Sequence, residues 1–279
     1  MRWLVAPMIY GLLLLMAPPS KAAGDVILSG PLMPGGLITG KTQPGSLITL
    51  NGKAVRVAAG GTFLLGFGRD AKPAQTLEIR APNGFSYTRD LQLQPRSYQI
   101  TRIDGLAERK VTPKPEDSKR IQQDNAGIGR VRRLDSHMED FLSGFQWPAS
   151  GRISGVFGSQ RVLNGKPRSP HNGVDIAAPA GAPVHAAAAG SVALVHPDMF
   201  YSGKTVMIDH GHGLSSVYIH MRKIVVKPGQ RVNKGDKIGE VGMTGRATGP
   251  HLHWGISLFT THLDPMLVVA GKTGIEVAE

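Results

Sequence analysis

Three short stretches in the second half of the chain carry histidines at spacings that suit metal-assisted hydrolysis. The first is His171-Asn172-Gly173-Val174-Asp175. In an extended segment residues four apart point to the same side, so His171 and Asp175 would share a face while Val174 and Ile176 turn to the core. Alone, that pair is more often a turn or surface contact. The second is His251-Leu252-His253-Trp254-Gly255-Ile256-Ser257-Leu258. With a period of two, His251, His253, Gly255 and Ser257 line one face and Leu252, Trp254, Ile256 and Leu258 the other, a buried strand with two imidazoles on its open side. The third is Tyr218-Ile219-His220, where alternation places Ser216, Tyr218 and His220 on one face. A fourth pair, His210-Gly211-His212-Gly213, has the spacing of a ligand pair but is interleaved with glycine. It reads as a turn and not as a metal platform.

The absence of cysteine narrows the chemistry. Disulfides, thiol nucleophiles and thiolate ligands are excluded, so a metal would be held by imidazole and carboxylate. Three protein donors around zinc leave a fourth position for water, whose pKa then falls to about 7. No His-Glu-x-x-His helix supplies a glutamate base. A histidine, with an ordinary pKa of about 6.5, is suited to that proton transfer. No oxyanion donor stands out; Tyr201 and Asn164 are the candidates in the nearby loops.

The ordered set His171-x-x-x-Asp175, Tyr218-x-His220 and His251-x-His253 is framed by Phe157-Gly158, Gly173-Val174-Asp175-Ile176, Ile208-Asp209-His210-Gly211 and Gly249-Pro250-His251-Leu252-His253. Over residues 146–269, about half the chain, it resembles the lysostaphin/LytM family of zinc metallopeptidases. That resemblance implies one Zn²⁺ ligated by His171, Asp175 and His253, with His220 and His251 as the catalytic imidazoles. Spacing does not separate His251 from His253 as ligand; the resemblance does. It also implies hydrolysis of peptide cross-links in bacterial peptidoglycan, with the D-Ala to diaminopimelate bond expected. The alternative within the same family is a catalytically inactive regulator that activates other wall hydrolases. The intact histidine and aspartate set favours the enzyme.

The elements that must position these residues are strands, and the expected fold class is all-β. A chain of 279 residues exceeds one ordinary core, so a division is expected. Residues 24–103 hold short β-like runs at Gly36–Thr42, Ser46–Leu50, Ala54–Val57, Thr62–Phe67, Gln75–Ala81, Phe85–Gln94 and Ser97–Ile103. Asn51-Gly52 and Asn83-Gly84 mark hairpins between them. The spacing predicts a small immunoglobulin-like sandwich that binds or spaces. Residues 104–145 form a charged linker, with eight acidic and eight basic residues between Asp104 and Asp140 and helical spacing of apolar residues ending near Ser143-Gly144. Residues 146–279 form an antiparallel β peptidase domain of the LytM type, its clearest strands at Thr205–Asp209, Leu214–His220, Lys237–Met243 and His251–Leu258. The run from Val226 to Glu240 is similar to hairpins of biotinyl and lipoyl carriers, but no modifiable lysine stands on a tight turn.

Residues 1–23 combine Arg2, a short apolar run containing Leu12-Leu13-Leu14-Leu15, and small residues at Ala22-Ala23. This is the pattern of a secretory signal peptide, and the run is shorter than the ~20 apolar residues needed to span a bilayer. Without an acylatable cysteine a lipoprotein is not expected. A periplasmic location in a diderm bacterium follows. Loss of Arg2 and Lys21 takes the formal charge from +12 to 12 − 2 = +10. Such basicity suits an anionic cell-wall or membrane surface; nucleic acid, without basic runs interleaved with aromatics, is not expected.

Overall fold

The computed structural model describes residues 26–103 and 115–269, so the expected signal peptide lies outside the described residues. The first strands are β1 (Ile27–Ser29), β2 (Leu37–Lys41), β3 (Leu47–Leu50), β4 (Lys53–Val55), β5 (Thr62–Gly66), β6 (Ala74–Arg80) and β7 (Ser86–Gln92). They form two antiparallel sheets, ordered β1-β2-β5 and β4-β3-β6-β7. Ile38, Ile48, Phe63, Leu65, Leu77, Ile79 and Leu91 fill one core between them. Asn51 and Gly52 both take positive φ, which makes the two-residue β3–β4 loop the expected type I′ turn. The β6–β7 connection is longer: only Gly84 is left-handed, and Asn83 Oδ1 accepts a hydrogen bond from the Phe85 amide.

The eighth strand departs from expectation. β8 (Ile100–Ile103) does not join the front sheets but runs parallel to β10 (Gln160–Leu163), which is also paired with β11 (Lys166–Pro167). Sequence patterning cannot reveal this partner, because it lies about sixty residues away across the linker. Helix α1 (Ser118–Arg132) lies in the stretch expected as linker, of which residues 104–114 are outside the described residues, and it ends well before Ser143. A separate 3₁₀ turn covers Asp140–Ser143.

The remaining strands are β9 (Arg152–Gly155), β12 (Val174–Ala177), β13 (Pro183–His185), β14 (Gly190–Met199), β15 (Gly203–Gly211), β16 (Leu214–Met221), β17 (Lys223–Ile224), β18 (Arg231–Val232), β19 (Lys237–Glu240), β20 (His251–Leu258) and β21 (Thr261–Leu263). The main antiparallel sheet is ordered β18-β14-β15-β16-β20-β12-β9, with β21 on β20. The run that is similar to carrier hairpins is not a hairpin here, since β18 pairs with β14 and β19 with β13 and β17.

One face of the main sheet is the core: Val174, Ile176, Val206, Ile208, Leu214, Tyr218, Leu252, Trp254 and Ile256 are buried together. Within it His210 Nδ1 meets the Ala189 carbonyl and Nε2 the Ser216 hydroxyl, which donates to Tyr218 Oη, while that hydroxyl accepts from the Ala187 amide. His210 is thus a structural core residue on β15 and not part of a loose turn. The opposite face is partly covered by α1, whose buried Gly127 approaches Met199, and partly open over β20, β12 and β9. No helix among the described residues is long and apolar enough to cross a membrane.

The front sheets are fixed to the main sheet by a buried carboxylate. Asp264 caps α2 (Pro265–Val268) by accepting from the Met266 amide, and its other oxygen binds Arg96, which also donates to the Pro34 carbonyl. Removing one partner of a buried pair leaves a desolvated charge. Arg96→Ala is therefore expected to lower unfolding free energy by about 3 kcal/mol, measured by urea denaturation.

Candidate metal and hydrolytic site

The open face of the sheet carries the expected histidines. Asp175 on β12 stands opposite His253 on β20, and Ile219 on β16 continues the row. His171 precedes β12 in a loop held by three hydrogen bonds: its amide to the Ser159 carbonyl, its carbonyl from the Gly158 amide, and Nδ1 to the Val156 carbonyl. That last bond leaves the Nε2 lone pair directed inward. His171 Nε2 lies 3.0 Å from Asp175 Oδ1 and 2.9 Å from His253 Nδ1, and His253 Nδ1 lies 2.8 Å from Asp175 Oδ1. Three donor atoms at the corners of a triangle about 3 Å on a side, two imidazole nitrogens and a carboxylate oxygen, match three of the four corners of a tetrahedral zinc site. The donor set fits a divalent metal.

Two glycines make room for the triangle. A Cβ on Gly155, opposite Asp175, would collide with the aspartate carboxylate, and one on Gly173 would meet the His253 ring and the Trp254 carbonyl. Gly155 was not singled out by sequence, and Gly173 only as part of the framing motif, because their small size matters through neighbours on other strands.

His220 reaches the site by a route that alternation does not describe. The register between β15 and β16 slips by one residue between Lys204↔Met221 and Val206↔Tyr218, so Ile219 and His220 together oppose Thr205. This β-bulge carries His220 in the left-handed region at φ 64°. The expectation that His220 shares a face with Tyr218 is therefore corrected. Tyr218 lies in the core, whereas the His220 ring sits 4.7 Å from His251 and 6.4 Å from His253. Thr244, missed in the sequence, holds it there. Its carbonyl accepts from His220 Nδ1 at 2.8 Å, and its hydroxyl bridges the Lys204 amide and the Met221 carbonyl. The only signal was its position among tightly packed glycines, 242 and 245.

His251 Nδ1 meets the Gly249 carbonyl at 2.9 Å, leaving Nε2 3.9 Å from Asp175 Oδ1. His220 and His251 thus each present a free Nε2 beside the triangle. Of the loop candidates, Tyr201 lies under the Arg246 guanidinium, 4.3 Å from it, and Asn164 sits in the β10–β11 turn at φ 49°.

Electrostatics agree with this arrangement. Burial acts to raise the Asp175 carboxyl, but hydrogen bonds and charge from His171 and His253 outweigh it and hold it well below the usual carboxylate range. Burial would lower His171, yet the Asp175 bond, its charge and the Val156 carbonyl raise it. His253 is lowered by burial despite Asp175. Burial takes His220 down to about 4, so it is neutral and able to accept a proton at pH 7.

Residues 169–265 match the model of peptidase family M23. A crystal structure of an M23 peptidase from Pseudomonas aeruginosa is 33% identical, covers 86% of this chain and 96% of its own, and superposes with a TM-score of 0.66. The chain belongs to peptidase family M23. Among M23 relatives, the peptidoglycan DD-endopeptidase ShyA of Vibrio cholerae is 45% identical over 106 residues, covering 37% of this chain and 24% of that protein. A lipoprotein NlpD/LppB homolog of Pseudomonas aeruginosa is 36% identical over 125 residues, 45% of this chain and 39% of that one. The chain spans about a quarter of the length of ShyA in that match.

Two outcomes test this M23 site. Gly155→Ala should keep the fold, by circular dichroism, but lower metal content at equilibrium, because the added methyl displaces Asp175. Acid should destabilise the protein through its buried histidines. His210 and His262, both lowered to about 4 by burial, bind protons in the unfolded chain from pH 6.5 downward but in the fold only near pH 4. Stability is therefore full above about pH 6.5 and falls toward pH 4, by up to about 3 kcal/mol per histidine, measured by denaturant midpoints across that range.

Proposed function

We propose that this chain is a zinc-dependent endopeptidase that hydrolyses peptide cross-links of bacterial peptidoglycan, at the D-Ala to diaminopimelate bond. The observation that carries the reading is the triangle of His171 Nε2, Asp175 Oδ1 and His253 Nδ1 with the Nε2 atoms of His220 and His251 beside it. The name of ShyA, a peptidoglycan DD-endopeptidase, supports the substrate.

His171, Asp175 and His253 would hold the zinc, which when bound supplies Lewis acidity to polarise the scissile carbonyl and acidify a water. His251 and His220 do the proton work. Each donates Nδ1–H to a backbone carbonyl, Gly249 and Thr244 respectively, which fixes the tautomer and leaves Nε2 as acceptor. One of them takes the proton of the attacking water and returns it to the leaving amine.

The regulator reading draws support from the NlpD/LppB homolog, but both free imidazoles and all three donor atoms favour an enzyme. We also read residues 1–23 as a secretion signal and the mature chain, at +10, as periplasmic. The sheet orders β1-β2-β5 and β4-β3-β6-β7 support an immunoglobulin-like front module that spaces the catalytic domain or binds the wall.

The test is metal analysis paired with dye release from purified sacculi. His253→Ala should lose zinc and hydrolysis together. His220→Ala should keep one zinc per chain while hydrolysis falls by about 100-fold or more. Stoichiometric zinc with no hydrolysis by the unaltered protein would favour the regulator instead.

A further inference from the structure

Between Asp140 and Asp175 the chain contains no acidic residue, yet Arg152, Arg161, Lys166 and Arg168 fall in that stretch. Its strands border the metal-donor triangle. Arg152, exposed on edge strand β9, is opposite Ala177, which is in turn opposite His251. Arg152 therefore points from the open face, about 10 Å along the row from His251 at two strand spacings. The β10–β11 hairpin begins at the segment that holds His171, and its Arg161 lies within electrostatic reach of His171. The Arg168 amide binds the Arg161 carbonyl, which puts the two arginines across from each other on adjacent strands. Parallel pairing with β8 fixes the hairpin in place.

The arginines of this flank differ from the five that are paired with aspartates. Arg56, Arg69, Arg96, Arg120 and Arg231 are each paired with an aspartate, at Asp135, Asp70, Asp264, Asp198 and Asp140. Among the described residues, the side chains of Arg152, Arg161 and Arg168 make no ion pair or hydrogen bond. Like charges directly across a ladder cost stability, and no acidic side chain among the described residues pairs with Arg161 and Arg168 to offset it. An anion bound from outside would.

We propose that Arg161 and Arg168, at the His171 end of the donor triangle, form an anionic subsite that takes a free carboxylate of the substrate beside the scissile bond, whereas Arg152 stands at the opposite, Ala177 end. The proposal rests on the peptidase reading above. Cross-linking peptides of peptidoglycan that contain glutamyl and diaminopimelyl residues carry such carboxylates, and a planar guanidinium binds a carboxylate through two parallel hydrogen bonds. The basic flank thus selects acidic stem peptides over neutral ones.

The test compares a purified cross-linked muropeptide dimer with the same dimer after amidation of its free carboxylates, using the full-length zinc-loaded protein. The unaltered protein should cleave the acidic dimer with a kcat/KM about tenfold higher, the scale of one solvent-accessible charge-assisted hydrogen bond. Arg161→Gln and Arg168→Gln should each reduce that preference several-fold through KM, with kcat on the acidic dimer and zinc content retained. An unchanged preference in both variants, or equal cleavage of the two dimers by the unaltered protein, overturns the subsite. Equal loss on both dimers assigns the arginines to general wall attraction and also overturns it. Cleavage of neither dimer by the unaltered protein refutes the peptidase reading itself.

Discussion

Three potential metal donors held within about 3 Å of one another are the constraint on which the site depends. His171 Nε2, Asp175 Oδ1 and His253 Nδ1 are all acceptors once Asp175 is ionised and the imidazoles are neutral. Their mutual repulsion is relieved by protons shared among them or by a cation at their centre. The protein holds them there because each sits on backbone that cannot move independently. Asp175 and His253 are opposite one another in a central strand pair, backed by the fully buried Val174, Ile176, Leu252 and Trp254. His171 is tied to the 156–159 segment by three hydrogen bonds. Gly155 and Gly173 keep the space around the triangle free of side-chain atoms.

The histidines proposed to handle protons need a different geometry from the proposed ligands, and the fold provides it by breaking its own regularity. A strict β16 would send His220 into the core beside Tyr218. The extra residue opposite Thr205 and the left-handed backbone at His220 turn the ring over to the site, at a cost of about 1 kcal/mol or more for a non-glycine residue. Bonds from the His220 amide to Ser202 and from Nδ1 to Thr244 offset that strain. A bulge beside a reactive group is a common way for a sheet to re-aim one side chain without disturbing its neighbours.

Features that depend on alternation within one strand were legible in the sequence. Burial of Leu252, Trp254 and Ile256 against the more open His251 and His253 follows the period of two, and Asn51-Gly52 forms the turn its chemistry requires. Features that depend on register between strands were not. The His220 bulge is a property of β15 and β16 together, and the parallel β8–β10 pairing joins segments separated by the linker. The sequence reads the His210/His212 pair as a turn, whereas His210 stands on β15 inside the core. His210 is excluded as a ligand by burial in a satisfied core network, which glycine content alone could not show. The end of α1 was misplaced because the apolar spacing runs on through the 3₁₀ turn at Asp140–Ser143.

The division of labour among the five site residues can be read most directly from a zinc-edge anomalous difference map of the zinc-loaded protein. The proposed assignment predicts one metal peak at bonding distance, about 2.0–2.2 Å, from His171 Nε2, Asp175 Oδ1 and His253 Nδ1, with His220 and His251 Nε2 facing it from beyond that distance. A peak ligated by His220 or His251 in place of one of the three, or lying away from the triangle, would contradict the account.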